Sequence, residues 1–183
     1  NYDGVEELIN IESDFGKSKV FVGYQFRFNP ALKLVKKLLE EGQIGNIIGA
    51  QLVNGEYLPN WHPYEDYRLS YASRKDLGGG ALVTQIHDFD YATWLVGKPE
   101  KIYAVGGHFS DLEVDVEDSA QILMQIKGIP VSIQLDYLQW PPRRMLSVTG
   151  DKGSVKCDLS TMELTVSNRI TETVKKQNFP NFN

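Results

Sequence analysis

The sequence predicts an α+β fold, a large and mostly antiparallel open sheet with helices packed on one face. Three observations predict it. Helix-period apolar patterns occupy residues 29–41 and 77–97, in the first half of the chain. Six short runs rich in β-branched and aromatic residues follow them, divided by turn signals. Within one run, Ser132, Ile133, Gln134, Leu135, Asp136 and Tyr137 alternate polar and apolar, as a strand buried on one face alone must. Helices first and serial hairpins afterwards imply helices segregated to one side of an antiparallel sheet.

Taken in order, residues 1–15 pattern as the second half of an amphipathic helix, with Val5, Leu8, Ile9 and Ile11 apolar. Residues 19–28 are strand-like, since Val20, Phe21, Val22, Tyr24, Phe26 and Phe28 are β-branched or aromatic. A helix feeding a strand reads as the tail of an α/β unit. Asn29 and Pro30 then make a helix start, Asn as cap and Pro at the first helical position. Leu32, Leu34, Val35, Leu38 and Leu39 form its buried stripe, and Gly42 ends it. Residues 47–57 read as a strand.

Residues 58–76 form a long aromatic and polar loop, of the length that is usually functional or disordered. Trp61, Tyr64, Tyr67 and Tyr71 argue against disorder. With His62, Arg68, Arg74 and Lys75 they have the character of a sugar- or anion-binding surface, aromatic faces beside fork-shaped donors. A loop packed by its own aromatics is the other reading.

The stretch 77–97 organises the chain. Gly78, Gly79 and Gly80 open it, one helix is expected through Leu82, Ile86, Phe89 and Val96, and Gly97 with Pro99 closes it. The glycine run permits close approach of another backbone or a flat ligand to the first turn. His87 stands one to two turns into that helix. It is either a core residue or a proton shuttle, the role for which imidazole is the commonest choice near neutral pH.

Strands are expected at 101–109, 119–127, 129–139, 145–149, 154–158 and 163–166, with a tight hairpin at Lys127 and Gly128. Ser132, Gln134 and Asp136 mark an open face suited to a second subunit. Arg143 and Arg144 are a dibasic pair, either solvated or able to grip a carboxylate or phosphate. Residues 177–183 lack periodicity and read as a tail cut short. A chain of 183 residues holds one generous domain, or one domain with a fragment of another. Its formal charge of −5, without a basic block, argues against nucleic acid or an anionic membrane as partner. No apolar run approaches a bilayer span, and no signal peptide opens the sequence. Cys157 has no second cysteine to pair with and no zinc-type cluster around it, so a reducing, cytoplasmic setting is expected.

Five segments in order, VGYQFRFNP (22–30), LLEEGQIGNI (38–47), GGGALVTQIHDFDYATWLVG (78–97), EDSAQILMQ (117–125) and VTGDKGSV (148–155), resemble the Gfo/Idh/MocA oxidoreductases, the glucose–fructose oxidoreductase and inositol dehydrogenase family. The resemblance implies the second half of a two-domain NAD(P)-dependent enzyme acting on a sugar, sugar derivative or nucleotide sugar. Residues 1–28 then correspond to the last helix and strand of a Rossmann domain, and 29–176 to the substrate-binding and oligomerisation domain, whose open sheet serves a homo-oligomer such as a dimer. The glycine fingerprint for NAD or NADP and the family's Glu-Lys-Pro triplet are absent from these residues, so this piece alone is expected to be inactive.

The family's catalytic histidine maps onto His87, with proton transfer at a substrate hydroxyl as its implied role. Trp61, Tyr67, Arg68, Gln85 and Asp88 form the expected substrate-binding set, and Tyr24 and Arg27 the expected border of the nicotinamide pocket. No metal is implied. One departure stands out. Many members carry an acid three or four residues before the histidine, where this chain has Thr84 and Val83. Gln85 can hydrogen-bond a sugar hydroxyl but cannot accept a proton, so Asp88 or Asp90 substitutes, or the substrate differs. The alternative is a non-catalytic binding or assembly module of the same fold.

Overall fold

The computed structural model describes residues 4–15 and 19–182. Eight strands form one sheet: β1 (Ile47–Gly55), β2 (Lys101–Gly107), β3 (Ser119–Ile126), β4 (Ile129–Asp136), β5 (Arg143–Gly150), β6 (Gly153–Asp158), β7 (Glu163–Asn168) and β8 (Thr173–Asn178). Their spatial order is β2-β3-β4-β1-β5-β6-β7-β8. Only β1 and β4 run parallel; every other neighbouring pair is antiparallel. The α+β architecture with a mostly antiparallel open sheet is therefore what the chain adopts.

Register divides the sheet into two faces. Ile122, Ile133, Leu52, Leu146, Cys157 and Leu164 form a buried row across six strands. Beside it, Leu123, Ser132, Gln51, Ser147 and Lys156 form a row on the opposite, open face. Helices α2 (Pro30–Glu40) and α4 (His87–Leu95) cover the first face through Leu32, Val35, Tyr91, Ala92 and Leu95. Burying one such side chain contributes roughly 1.5–3 kcal/mol. A smaller core of Leu58, Ala72, Ala81, Leu112, Val116 and Tyr137 lies under the aromatic loop.

Local chemistry sets most boundaries. Asn29 Oδ1 accepts from the Ala31 and Leu32 amides at 2.9 and 3.2 Å, capping α2 with Pro30 just inside. Lys127 and Gly128 both take positive φ, as a two-residue hairpin between β3 and β4 requires. Helix α1 (Val5–Phe15) forms, and Val5, Leu8, Ile9 and Ile11 are all exposed on it. Residues 1–3 of the expected helix lie outside the described residues.

Three expectations change. Residues 19–28 are not a strand: 19–24 have no regular structure, Gln25–Phe28 is a 3-10 turn, and Val20, Phe21 and Val22 are exposed. A strand needs a ladder neighbour, and among the described residues none runs beside this segment. The helix through 81–96 is two helices, α3 (Ala81–Thr84) and α4, broken at Gln85. The loop 58–76, by contrast, is ordered as its aromatics imply, with 3-10 turns at Leu58–Asn60, Tyr67–Leu69 and Tyr71–Ser73. Finally, β8 takes in Gln177 and Asn178, which pair with Leu164 and Glu163. Its sequence, TVKKQN, is fully exposed at the sheet edge and so carries no alternating signal.

Candidate functional site

His87 owes its position to the break between α3 and α4. Thr84 Oγ1 donates back to the Gly80 carbonyl at 2.8 Å and lies 2.6 Å from the Tyr137 hydroxyl. Gln85, buried, donates from Nε2 to the Asp136 carbonyl at the end of β4, 3.1 Å away. These side chains offer the backbone partners that compete with continued helix. The chain restarts at His87, with Asp88 and Asp90 in the first turn of α4, where acids suit the helix dipole.

The glycine run upstream is filled by the protein itself. A Cβ on Gly79 would collide with the carbonyl oxygens of Tyr71 and Ala72, and one on Gly80 with the Glu117 carboxylate. That carboxylate accepts from the Leu82 amide at 3.0 Å, capping α3. The close approach the glycines allow is thus made by the aromatic loop and by Glu117.

The 3-10 turn Gln25–Phe28 is laid over the imidazole. Phe26 lies 5.1 Å away between centroids with its plane tilted by 50°, and Tyr24 stands edge-on at 6.4 Å. The Gln25 amide nitrogen approaches His87 Nε2 at 3.5 Å, while Nδ1 is buried without a hydrogen-bond partner. Burial and the positive charge of Arg144 hold the imidazole below its ordinary pKa of 6.5, against a weaker opposite pull from Asp88 and Asp90. A neutral, half-buried imidazole with Nε2 toward the surface is competent to accept a proton near neutral pH.

The two acids of α4 are already engaged. Asp88 is fully buried and accepts from Asn54 Nδ2 at 2.8 Å and from the Tyr91 hydroxyl. Burial raises its carboxyl pKa, opposed in part by Arg144 and by these donors. Asp90 receives both arms of Arg27, Nε at 2.9 and Nη2 at 2.6 Å. Val83, one turn before His87, is 57% exposed. The side chain one turn ahead of His87 is thus an exposed apolar one, with no carboxylate there.

The structure brings Tyr24, Arg27, His87 and Asp88 together and puts Gln85 on the adjoining turn. Trp61, Tyr67 and Arg68 lie in the aromatic loop. Trp61 and Tyr67 line a small cavity of about 150 Å³ with Leu58, His62, Ser70 and Tyr71. Arg68 is held by Asp66 and Glu113, with 2.7 Å contacts to each. Asn54 and Phe26 are not among the expected site residues, and Arg144 is expected only as half of a dibasic pair able to grip a carboxylate or phosphate. Asn54 carries a signal in retrospect, a polar side chain on the buried parity of β1.

A mostly antiparallel open sheet with one face under helices, the second of which opens on a half-buried histidine, defines the class of α+β domain to which this chain belongs. A sequence model of the GFO/IDH/MocA C-terminal domain matches residues 32–156, and the chain belongs to that family. The 2,7-anhydro-N-acetylneuraminate hydratase of Escherichia coli is 27% identical over 165 residues, 87% of this chain and 42% of the relative. A solved levoglucosan dehydrogenase in complex with NADH superposes with a TM-score of 0.76 at 23% identity, covering 87% of this chain and 46% of the other. The WlbA dehydrogenase of Bordetella pertussis, in complex with NADH and UDP-GlcNAcA, gives 0.73 at 25% identity over 86% and 48%. The chain therefore spans less than half the length of these proteins. Among the described residues, no helix is long and apolar enough to cross a membrane.

Proposed function

We propose that this chain is the substrate-binding and oligomerisation domain of an NAD(P)-dependent oxidoreductase acting on a sugar, sugar derivative or nucleotide sugar, with His87 as its proton-transfer residue. The observation that carries this reading is His87 itself: Nε2 toward the surface, a pKa held below 6.5, and aromatic walls at Tyr24 and Phe26. Names among the relatives and neighbours, a hydratase of an anhydrosugar acid and dehydrogenases with NADH, support the substrate class and the cofactor.

What this chain offers a nicotinamide cofactor is a border. Tyr24 presents a ring beside His87, and Arg27 is oriented by Asp90, whereas no glycine-rich phosphate loop is present in the sequence. NAD or NADP, when bound, supplies hydride transfer. The residues of this chain hold the substrate and move its proton. His87 Nε2 takes the hydroxyl proton as the carbonyl forms and returns it in the reverse direction. Trp61 and Tyr67 contribute aromatic faces for a sugar ring, and Arg68, Gln85 and Asp88 complete the set, Asp88 by fixing α4 from below. The exposed apolar residues Tyr103, Val105 and Leu123 on the open side of the sheet suit pairing with a second copy. A reducing, cytoplasmic setting accords with Cys157, a buried free thiol pushed up to about 12.

The test uses the full-length protein with NAD(H) or NADP(H) and a panel of sugars, sugar acids and nucleotide sugars. Nicotinamide absorbance should change with one class of sugar, and His87→Ala should slow that change by at least 100-fold. Unchanged turnover in His87→Ala removes the histidine from the chemistry. Val83 in place of an acid favours the second reading, a non-catalytic binding module; it predicts sugar binding with no absorbance change in either direction.

A further inference from the structure

The dibasic pair Arg143-Arg144 is split by strand alternation. Arg143 pairs with Gly55 and Arg144 with Asn54 in the β1–β5 register, so their side chains leave opposite faces. Arg143 is exposed, and its Nε points at Met145 Sδ. Arg144 turns to the helix face. Its guanidinium lies 4.7 Å from the centre of the Phe26 ring, the ring that also packs at a tilt against His87.

Arg144 is short of an acceptor. Its Nε is buried without a hydrogen-bond partner, and among the described residues no carboxylate stands within ion-pair distance. Asp88 influences it only through space, because its oxygens are taken by Asn54 and Tyr91. Arg27, at the same end of the helix layer, is fully paired with Asp90. A guanidinium N–H buried without an acceptor carries an uncompensated desolvation cost. Arg144 also lines a cleft of about 390 Å³ with Asn54, Glu56, Pro142, Ser160 and its neighbour Arg143. A charged, pre-stacked fork at the wall of a cleft, one aromatic ring away from a proton-transfer group, has the makings of an oxyanion receptor.

The geometry points to Arg144 as the anion-recognition residue of the His87 site, binding a carboxylate or phosphate group carried by the sugar substrate. The inference rests on the reading of His87 above and narrows it: the substrate is an acidic sugar. Arg144 supplies the bidentate contact, Phe26 holds its plane, and the hydroxyl served by His87 lies on the same ligand. Arg143 borders the same cleft, but it is exposed and its Nε turns to Met145 Sδ, so the contact is assigned to Arg144.

The test measures binding to the full-length protein by calorimetry, with D-glucuronate, D-glucose 6-phosphate, D-glucose and inorganic phosphate as probes. At least one of the two acidic sugars should bind tenfold or more tightly than glucose. Arg144→Gln should remove that preference, Arg144→Lys should keep part of it, and Arg143→Gln should keep all of it. Preference for the carboxylate or for the phosphate identifies which group the site takes. Equal affinity for glucose and both acids, an unchanged preference in Arg144→Gln, or binding of inorganic phosphate alone overturns the proposal. Should Arg144→Gln fail to fold, the Arg144 Nε–H resonance of the unmodified protein decides: it shifts with the acidic sugar and not with glucose, or the proposal fails. Binding preserved in His87→Ala with turnover lost supports both readings. Binding of acidic sugar without any turnover in the unmodified protein overturns the role of His87 and leaves that of Arg144 standing.

Discussion

The pair Arg27–Asp90 holds the turn that covers His87, and a double-mutant cycle measures how firmly. Asp90 is the buried partner, its side chain 5% exposed, and Arg27 is the open one at 43%. Two charge-assisted hydrogen bonds join them. A hydrogen bond to a charged group contributes about 1.5–3 kcal/mol when shielded, and far less where water screens one partner. With one partner buried and the other open, Arg27→Ala should cost about 2 kcal/mol, because it strands a buried carboxylate. Asp90→Ala should cost somewhat less, and the double variant little more than Arg27→Ala alone, which is a coupling of about 1–2 kcal/mol. Urea unfolding followed by circular dichroism supplies the four free energies. In Arg27→Ala the turn carrying Phe26 should also loosen, rehydrating the imidazole, so the His87 pKa should move up toward 6.5 in a proton NMR titration. Coupling below about 0.5 kcal/mol with an unmoved His87 titration would refute the claim that this ion pair sets the roof of the site.

Other consequences are as direct. Leu52→Ala, in the middle of the buried row, should cost about 2–5 kcal/mol in chemical denaturation. Gly79→Ala forces a Cβ against the Tyr71 and Ala72 carbonyls and should destabilise by about 1–3 kcal/mol, with Trp61 fluorescence changing as the aromatic loop shifts. His87 binds a proton less readily folded than unfolded, so its stability contribution is complete above pH 6.5 and is lost as pH falls through its lower folded value. The pH dependence of the urea midpoint over that window should flatten in His87→Gln. Leu123→Arg, on the open face, should convert a dimer to monomer in light scattering if that face pairs two copies, and should leave the unfolding midpoint near that of the parent monomer.

The sheet was legible because its signals are local. Alternation in Ser132–Tyr137, the positive-φ dipeptide at Lys127 and Gly128, and Gly150 through Gly153 mark strands and reversals without reference to the rest of the chain. What failed depended on partners. Residues 19–28 have strand composition, yet composition supplies no neighbour to pair with. The break at Gln85 arises because Thr84 and Gln85 bond to Tyr137 and Asp136, which lie more than fifty positions later. At the site, His87 and Asp88 could be picked out from their place on a glycine-led helix. The engagement of Asp88 by Asn54 and Tyr91 could not, since each polar residue reads as available until its partner is known. Arg144 was visible only as half of a dibasic pair, and register alone separated it from Arg143.

The parallel contact between β1 and β4 has a bearing on how the protein is made. Ala50 finds its two ladder neighbours at Val131 and Val148, both far downstream. As the polypeptide leaves the ribosome, the β3–β4 hairpin can close by itself, whereas β1 waits with its apolar edge unsheltered until β5 has emerged. Until residues 129–150 are made, both edges of that strand therefore lack the neighbours they have in the folded sheet.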